Sequence, residues 1–480
     1  MALITALRRT CCTALEGRLP RLARLDGNSR TRALSILSSS SFNIDHVGKR
    51  TCLSPQKWQQ TRGLLCSATH GSKLEAWEVL REQLQVSVQA GGRQVQVQWD
   101  DSLESTTRYS STWLRYHCHC LQCKQAHSGQ RLLNPLSLPA TQEVTKAWVD
   151  DEDRALHLGF AGEPDHVTVL PLGWLWKNSY SEEHRRQRAE KRRPLVHQNG
   201  FPEISYKKLL SGNKSVLLRW MQDISDYGVS LVRDVPTELG TVAKVGELIA
   251  PVQQSIYGNV FDVVSTEKPI NAAYSNVGLE FHMDLMYYES PPGLQLLHCV
   301  RFNPEVQGGE SVLLDVFPVV EHLRVHHPED FNTLVRVPVT FQKIHFDREY
   351  PVCMRYQRPH IVLNPDKEVI AVNWSPQFEG PLSVPEDDVE PYYKAYRRLV
   401  QAMQDSPLKK ERRLEPGDCL VFNNRRMLHS RRAFTLAPGT VRHLQGCYIN
   451  IDEFKNRVQV LSTLVGDGSE ARRVGNQDFF

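Results

Sequence analysis

Two rhythms of hydrophobic and polar positions run along the chain. Gln94 to Trp99 (QVQVQW) alternates with period two, which predicts a strand with one wet face. It closely follows the turn signal of Gly91 and Gly92. Val216 to Asp226 is helical by spacing, and YGVSLVRDVP reads as the strand after it. Helical spacing recurs at Val242 to Ala250 and at Val389 to Met403. Between and after these lie short apolar runs: QLLHCVRF, SVLLDVF, PHIVLN, EVIAVNW, DCLVFNN and HLQGCYIN. Many short strands with few helices predict a chain that is mainly β with α (α+β), built on a double-stranded β-helix, or jelly roll. No run of eighteen apolar residues occurs, so no membrane-spanning helix and no membrane partner is expected. No internal repeat at a fixed period is present.

The pattern changes at the start of the chain. The first seventy residues hold eleven Lys and Arg against three acids, Glu16, Asp26 and Asp45, with a serine run at Ser38 to Ser41. Arg-rich, Ser-rich and acid-poor is the composition of a mitochondrial transit peptide, which predicts the matrix as destination. The sequence therefore divides into a disordered transit peptide (1–72), a small β-rich zinc-binding domain (73–181), a charged linker (182–199) and the β-helix domain (200–470). The whole chain of 480 residues carries a formal charge of +4, but the positive excess sits in the leader and the remainder of the chain is net acidic. The mixed-charge run SEEHRRQRAEKRR, from Ser181 to Arg193, lacks an accompanying aromatic reading surface. No nucleic acid is expected as a partner.

Eleven cysteines are present. Cys299, Cys353, Cys419 and Cys447 are scattered singly, which fits small buried hydrophobes in a reducing compartment. Cys118, Cys120 and Cys123 cluster in TWLRYHCHCLQC. Three thiols within six residues can converge on one soft cation, and a tetrahedral zinc site then needs a fourth ligand. His117, His119, His127 and His166 are the candidates.

The C-terminal region carries a second set of metal-ligating residues. FHMDL holds His282 and Asp284. On a strand, positions i and i+2 face one side, so an imidazole and a carboxylate would point together into a barrel mouth. His429, in MLHSRRAF, lies on a distant strand of the same predicted barrel. Two histidines and one carboxylate make the facial triad of non-haem Fe(II) oxygenases, with three coordination positions left open. Thirteen residues after His429 comes Arg442, in GTVRHLQGCYIN. It could clamp a carboxylate in bidentate fashion, as the far carboxylate of 2-oxoglutarate requires.

At these residues the sequence resembles the γ-butyrobetaine hydroxylase and trimethyllysine dioxygenase family of carnitine biosynthesis. The likeness runs from about Trp99 to Leu464. It rests on WLRYHCHCLQC, FHMDL with SPPGLQLLHC, QGGES followed by LLDVF, EPGDCLVFNN with MLHSRR, and VRHLQGCYIN. The resemblance implies structural zinc on Cys118, Cys120, Cys123 and His166, iron on His282, Asp284 and His429, and 2-oxoglutarate on Arg442 beside Leu297. It implies an aromatic cage of Tyr257, Phe261, Tyr274 and Tyr448, whose faces hold a quaternary ammonium by cation–π attraction. Asn271 matches the asparagine near the substrate carboxylate in the butyrobetaine branch, where the trimethyllysine branch has an acid. The resemblance further implies O2 as co-reactant, ascorbate as reductant and a homodimer.

The implied reaction is hydroxylation of γ-butyrobetaine to L-carnitine, with trimethyllysine or another quaternary-ammonium acid as the alternative. A zinc-stabilised binding protein without turnover is the reading from another class. Several residues depart from the family pattern. Phe261 stands where tryptophan is usual. Ser375, in VNWSPQ, stands where a second carboxylate-side asparagine is expected. The family's DNWR is Asn423, Asn424, Arg425, Arg426 here, and the glycine after the distal histidine is Ser430. The pocket residues favour the butyrobetaine branch, while the leader fits the trimethyllysine branch better.

Overall fold

A computed structural model of the chain describes residues 84–99, 106–152, 154–196, 200–264 and 275–475. The leader read as a transit peptide lies outside the described residues.

The N-terminal part folds from alternation. In the strand Gln94–Gln98, Val95 and Val97 are fully buried while the glutamines face outward. This strand is the middle of a three-stranded antiparallel sheet with Gln85–Gln89 and Thr106–Ser110. A second three-stranded sheet, Val144–Asp150, Ala155–Phe160 and Val167–Pro171, supplies Leu156, Leu158 and Leu170 to the same core. The charged run beyond it forms the helix Glu182–Lys191, whose Ser181 side chain accepts from the His184 amide. His184 and Ala189 are buried, so this run is a packed helix face.

The rest of the chain is a mixed α/β body whose two sheets face each other. The larger sheet has six strands in the order Glu203–Ser205, Val229–Arg233, Cys419–Asn423, Leu294–Phe302, Arg442–Ile449 and Phe261–Val264. All its pairings are antiparallel except the first. The smaller has four, Leu279–His282, Met427–Arg431, Ser311–Asp315 and Lys409–Arg412, all antiparallel.

The larger sheet is buried on both sides, which is why its strands read as near-continuous apolar runs. On one side Leu294, Leu296, Cys419, Val421, Cys447 and Ile449 pack under Trp220, Ile224 and Phe454. Trp220 and Ile224 lie on the helix Lys214–Tyr227, and Phe454 on Ile451–Val465. On the other side Leu297, Leu420, Phe422, Leu444 and Tyr448 meet Leu313 and Leu428 of the smaller sheet. Truncating one such buried leucine to alanine costs roughly 2–5 kcal/mol.

Helix ends follow their local chemistry. The helix Lys214–Tyr227 starts with Asn213 accepting from the Ser215 amide and stops at Gly228, whose φ of 76° suits glycine. Asp315 caps the helix Val316–His326 through Oδ1, 3.2 Å from the Phe317 amide. Its Oδ2 takes the buried guanidinium of Arg426. One carboxylate therefore joins a strand end, a helix start and the turn that leads into the strand of His429.

Several segments that the sequence pattern leaves unassigned are ordered: Pro338–His345 and Val352–Pro359 form an antiparallel hairpin, and Pro328–Arg336 and Ile451–Val465 are helices. The run SVLLDVF, expected as a strand throughout, is strand only to Asp315, where the cap starts the helix Val316–His326.

Candidate active site

Between the facing sheets lies a cavity of about 340 Å³. Its chemistry centres on His282, Asp284 and His429, whose ligand-type atoms all lie within 4.8 Å of one another. His282 and His429 are directly opposed in the antiparallel pairing of Leu279–His282 with Met427–Arg431. Their ring centroids are 4.1 Å apart. His282 is the last residue of its strand, and Asp284 lies just beyond it, in a turn. The expected i, i+2 alternation along one strand does not therefore place Asp284.

Asn424 places it instead. The Asn424 Oδ1 accepts from the Asp284 amide at 2.8 Å, and its Nδ2 donates to the Asp284 carbonyl at 2.9 Å. A buried side-chain amide thus takes over both backbone bonds that a strand partner would have made. Leu285 follows with φ 60°, a turn conformation uncommon for a branched residue.

Two of the three side chains are oriented by a second group, while the buried Nδ1 of His429 has no hydrogen-bond partner among the described residues. The His282 Nδ1 is 2.8 Å from the Glu280 carbonyl, to which it can donate, and Nε2 faces the other two residues. Nε2 is 3.6 Å from Asp284 Oδ1, and the Nε2 of His429 is 3.9 Å from the same oxygen. The other carboxylate oxygen, Oδ2, accepts from the Tyr448 hydroxyl at 2.7 Å. Burial, and then the neighbouring His282, push His429 down to about 3, so it stands as a neutral imidazole. Two imidazoles and one carboxylate converging in this way suit a divalent transition metal with oxygen and nitrogen preferences.

Arg442 projects into the same cavity and is 3% exposed. Its Nε and one terminal nitrogen donate to the Gly309 carbonyl at 3.2 and 3.0 Å. Phe302 and Phe434 lie against the guanidinium at 5.2 and 5.5 Å. Burial, and then Arg431, lower its pKa to about 10. A guanidinium has five donors, and those not used on Gly309 can meet a carboxylate. Gly309 has φ 82°, and a Cβ there would lie 3.0 Å from the Arg442 Nε. The glycine of QGGES is thus needed for this close approach. Leu297 also lines the cavity.

The aromatic residues form a connected series. Tyr448 stacks on Phe261 with centroids 5.0 Å apart, and Phe261 lies 6.3 Å from Tyr257. Gly446 lets Phe261 in, since a Cβ there would be 2.3 Å from the ring. Asn271 and Tyr274 lie outside the described residues. Ser375 is fully buried and is not a lining residue; Gln377 and Phe378, just after it, are. Sequence reasoning missed Tyr287, Lys343, Phe378 and the anchoring Asn424. All four sit on a turn, a hairpin strand or a short 3₁₀ segment.

A second cluster stands in the N-terminal part. The His166 Nε2 is 3.7 Å from the Cys118 sulfur and 3.3 Å from those of Cys120 and Cys123. Of the other candidate ligands, His117 packs on Trp113 and His119 on Trp174. Burial raises the thiol of Cys118 to about 12, and burial also pushes the thiol of Cys123 up from its ordinary value. Arg115 donates to the Cys123 sulfur at 3.4 Å while gripping Glu163. Thiols packed this tightly would repel one another as thiolates, and a central dication removes that cost.

Two family models match separate stretches of the chain. Residues 191–448 match the taurine catabolism dioxygenase TauD, TfdA family. Residues 86–168 match the N-terminal domain described as gamma-butyrobetaine hydroxylase-like. A gamma-butyrobetaine dioxygenase of Pseudomonas sp. (strain AK-1) is 30% identical over 371 residues, covering 76% of this chain and 93% of that protein. A trimethyllysine dioxygenase of Meyerozyma guilliermondii is 28% identical over 77% of this chain and 94% of its own length. The mitochondrial trimethyllysine dioxygenase of Bos taurus is 29% identical over 74% and 83%.

Proposed function

Because the chain belongs to the taurine catabolism dioxygenase TauD, TfdA family and is a 2-oxoglutarate-dependent dioxygenase, we propose that it hydroxylates γ-butyrobetaine to L-carnitine. One observation carries the choice of substrate. Aromatic rings adjoin the triad, and Asp284 is the one acid among the described lining residues. Ring faces favour a quaternary ammonium, which cannot donate a hydrogen bond. Trimethyllysine also brings an α-ammonium, and Asp284 is committed to the triad. Asn271, read from the sequence, points the same way. Trimethyllysine or another quaternary-ammonium acid remains the second reading, favoured by Phe261 in place of tryptophan and by the basic leader.

In this proposal His282, Asp284 and His429 hold Fe(II), and Arg442 with Leu297 holds 2-oxoglutarate. Iron so bound supplies the coupling of O2 and 2-oxoglutarate to C–H hydroxylation, with succinate and CO2 as the other products. The protein's own share is placement. His282, held through its Nδ1, and His429 present their Nε2 atoms, Asn424 and Tyr448 fix the carboxylate, and Arg442 sets the direction of the cosubstrate. Tyr257, Phe261 and Tyr448, with Tyr274, fix the ammonium end, which selects the carbon that reacts. The facing sheets are read as a jelly roll, and Cys118, Cys120, Cys123 and His166 as a structural zinc site. The matrix is the proposed destination, and the ligands are small molecules.

The test is anaerobic loading with Fe(II), 2-oxoglutarate and ascorbate as reductant, followed by oxygen with either candidate substrate. Hydroxylated product matching succinate one for one, with γ-butyrobetaine alone, is expected. Product with trimethyllysine alone would replace the first reading by the second. No succinate with iron bound would remove the enzymatic reading altogether.

A further inference from the structure

Two charged side chains that line the cavity have no part in that chemistry: Arg431, which donates to the Ser275 and Val277 carbonyls, and Lys343. Lys343 lies on the strand Pro338–His345 and lines the cavity together with Gln377 and Phe378. Its Nζ is 5.2 Å from the centre of the Phe378 ring. Phe378 meets Tyr287 edge-on at 5.2 Å, and the Tyr287 hydroxyl is 3.5 Å from that of Tyr257. Tyr257 leads through Phe261 to Tyr448, and Tyr448 to Asp284. An unbroken line of rings thus runs from the triad carboxylate to a lysine ammonium.

Arg442 stands apart from this line. It pairs with Phe302, at the opposite end of the strand register from Tyr448, which pairs with Gln295. The cavity therefore has two cationic places, Arg442 with Arg431 over Phe434 and Lys343 over Phe378. One fits the cosubstrate. The other ends the aromatic series, where the substrate lies in the proposed function.

The hairpin that carries Lys343 is tied down at two points. Phe341 bridges to Glu379, and the Gly380 amide donates to the Thr340 carbonyl at 2.8 Å, which joins the strand to the Gln377–Phe378 segment. Arg348 donates to the Ile256 carbonyl at 2.6 Å and stacks over Tyr257 at 5.7 Å. Lys343 is held by the same frame as the rings. Burial, and then Arg348, lower its pKa, so its charge is costly to keep and an incoming anion relieves that cost.

We propose that Lys343 determines specificity by pairing with the carboxylate of the substrate, so that the site selects short zwitterions whose cation rests on the rings and whose anion reaches Lys343. The inference rests on the proposed function for the cation at the rings. It gives Lys343 the carboxylate contact that the sequence assigned to Ser375, which is buried away from the cavity lining. It also disfavours an α-ammonium beside that carboxylate, since Lys343 repels it.

Calorimetry on the anaerobic Fe(II) and 2-oxoglutarate complex tests this. The ligands are γ-butyrobetaine, its primary amide, and 5,5-dimethylhexanoate, which keeps the carboxylate and shape but replaces nitrogen by carbon. Lys343→Met should weaken both carboxylates by about 10- to 100-fold, the usual range for a charge-assisted contact, and leave the amide unchanged. Lys343→Arg should recover most of the loss. Equal loss for amide and carboxylates, no loss for either carboxylate, or a wild-type protein that binds neither would overturn it. Failure of the function reading is separate. It would show as Lys343-dependent binding of 5,5-dimethylhexanoate by a protein that hydroxylates neither γ-butyrobetaine nor trimethyllysine.

Discussion

Tyr448 donates from its hydroxyl to Asp284 Oδ2 at 2.7 Å, while its ring stacks on Phe261 at 5.0 Å. One side chain thus serves the carboxylate of the triad with its polar tip and the aromatic series with its face. The sequence assigned it only the second task.

Tyr448→Phe separates the two. The ring stays, and the oriented carboxylate loses its partner. Iron affinity should fall by about tenfold, the low end for losing a group that orients a ligand, while KM at saturating iron changes little. An anaerobic iron titration gives the affinity, and succinate formation after oxygen is admitted to the iron-loaded enzyme gives KM. Unchanged iron affinity with a raised KM would make Tyr448 a cage residue alone.

Asn424→Ala leaves the Asp284 amide and carbonyl without their partner. Each buried backbone group left unpaired costs about 1–3 kcal/mol. The variant should unfold at lower urea and retain less iron. Asn424→Asp should rescue little, because a carboxylate can accept from the amide but cannot donate to the carbonyl.

Gly446→Ala places a methyl where the Phe261 ring now lies, at 2.3 Å. The ring must move. The substrate KM should rise several-fold with the iron affinity unchanged, which a paired iron titration and steady-state measurement separate.

Glu379 carries a pH dependence. Burial raises its carboxyl to about 7, against a smaller opposing effect of the Tyr396 hydroxyl, and its Oε1 lies out of water without a hydrogen-bond partner among the described residues. The folded form therefore binds the proton more tightly than the unfolded form. Its contribution is fully present below the ordinary carboxyl range and is lost as the pH rises through 7. Stability should fall between pH 5 and 8 by an amount on the order of 2 kcal/mol from this group. Glu379→Gln should flatten that slope and exceed the parent at pH 8, as urea unfolding at each pH would show.

Removing zinc should act on the N-terminal part. If Cys118, Cys120, Cys123 and His166 hold it, a chelator or Cys120→Ser should release about one equivalent of zinc and lower the unfolding temperature. Atomic absorption and calorimetry check the two effects. A protein purified without zinc, and insensitive to chelation, would refute the assignment.

Much of the fold and the site was legible in the residues. Buried strands such as Leu294–Phe302 and Cys419–Asn423 are near-continuous apolar runs because both their faces are covered. His282 and His429 were marked by chemistry, since a histidine beside an aspartate and a distant histidine before an arginine form a recognisable order. Asp284 was identified for a reason that the fold does not use. Alternation suggested it, but the chain leaves the strand after His282, and a side-chain amide from 140 residues away holds the turn. Lys343 and Phe378 were invisible for a related reason. Phe378 reaches the cavity from a 3₁₀ turn, and Lys343 is a polar residue on a strand whose alternation buries Val339 and Phe341, so the pattern points to neither as a lining residue.

The direct opposition of His282 and His429 has a consequence for how the chain reaches its native state. The two residues are 147 positions apart, and their strands pair only after the intervening polypeptide, with its hairpin and three helices, has been brought round. Closing so long a loop is entropically slow to begin and little rewarded until late. The metal triad is then assembled among the last contacts, not the first. A divalent ion should leave the rate of folding almost untouched and slow unfolding, because it recognises a geometry that exists only once the two ends have met.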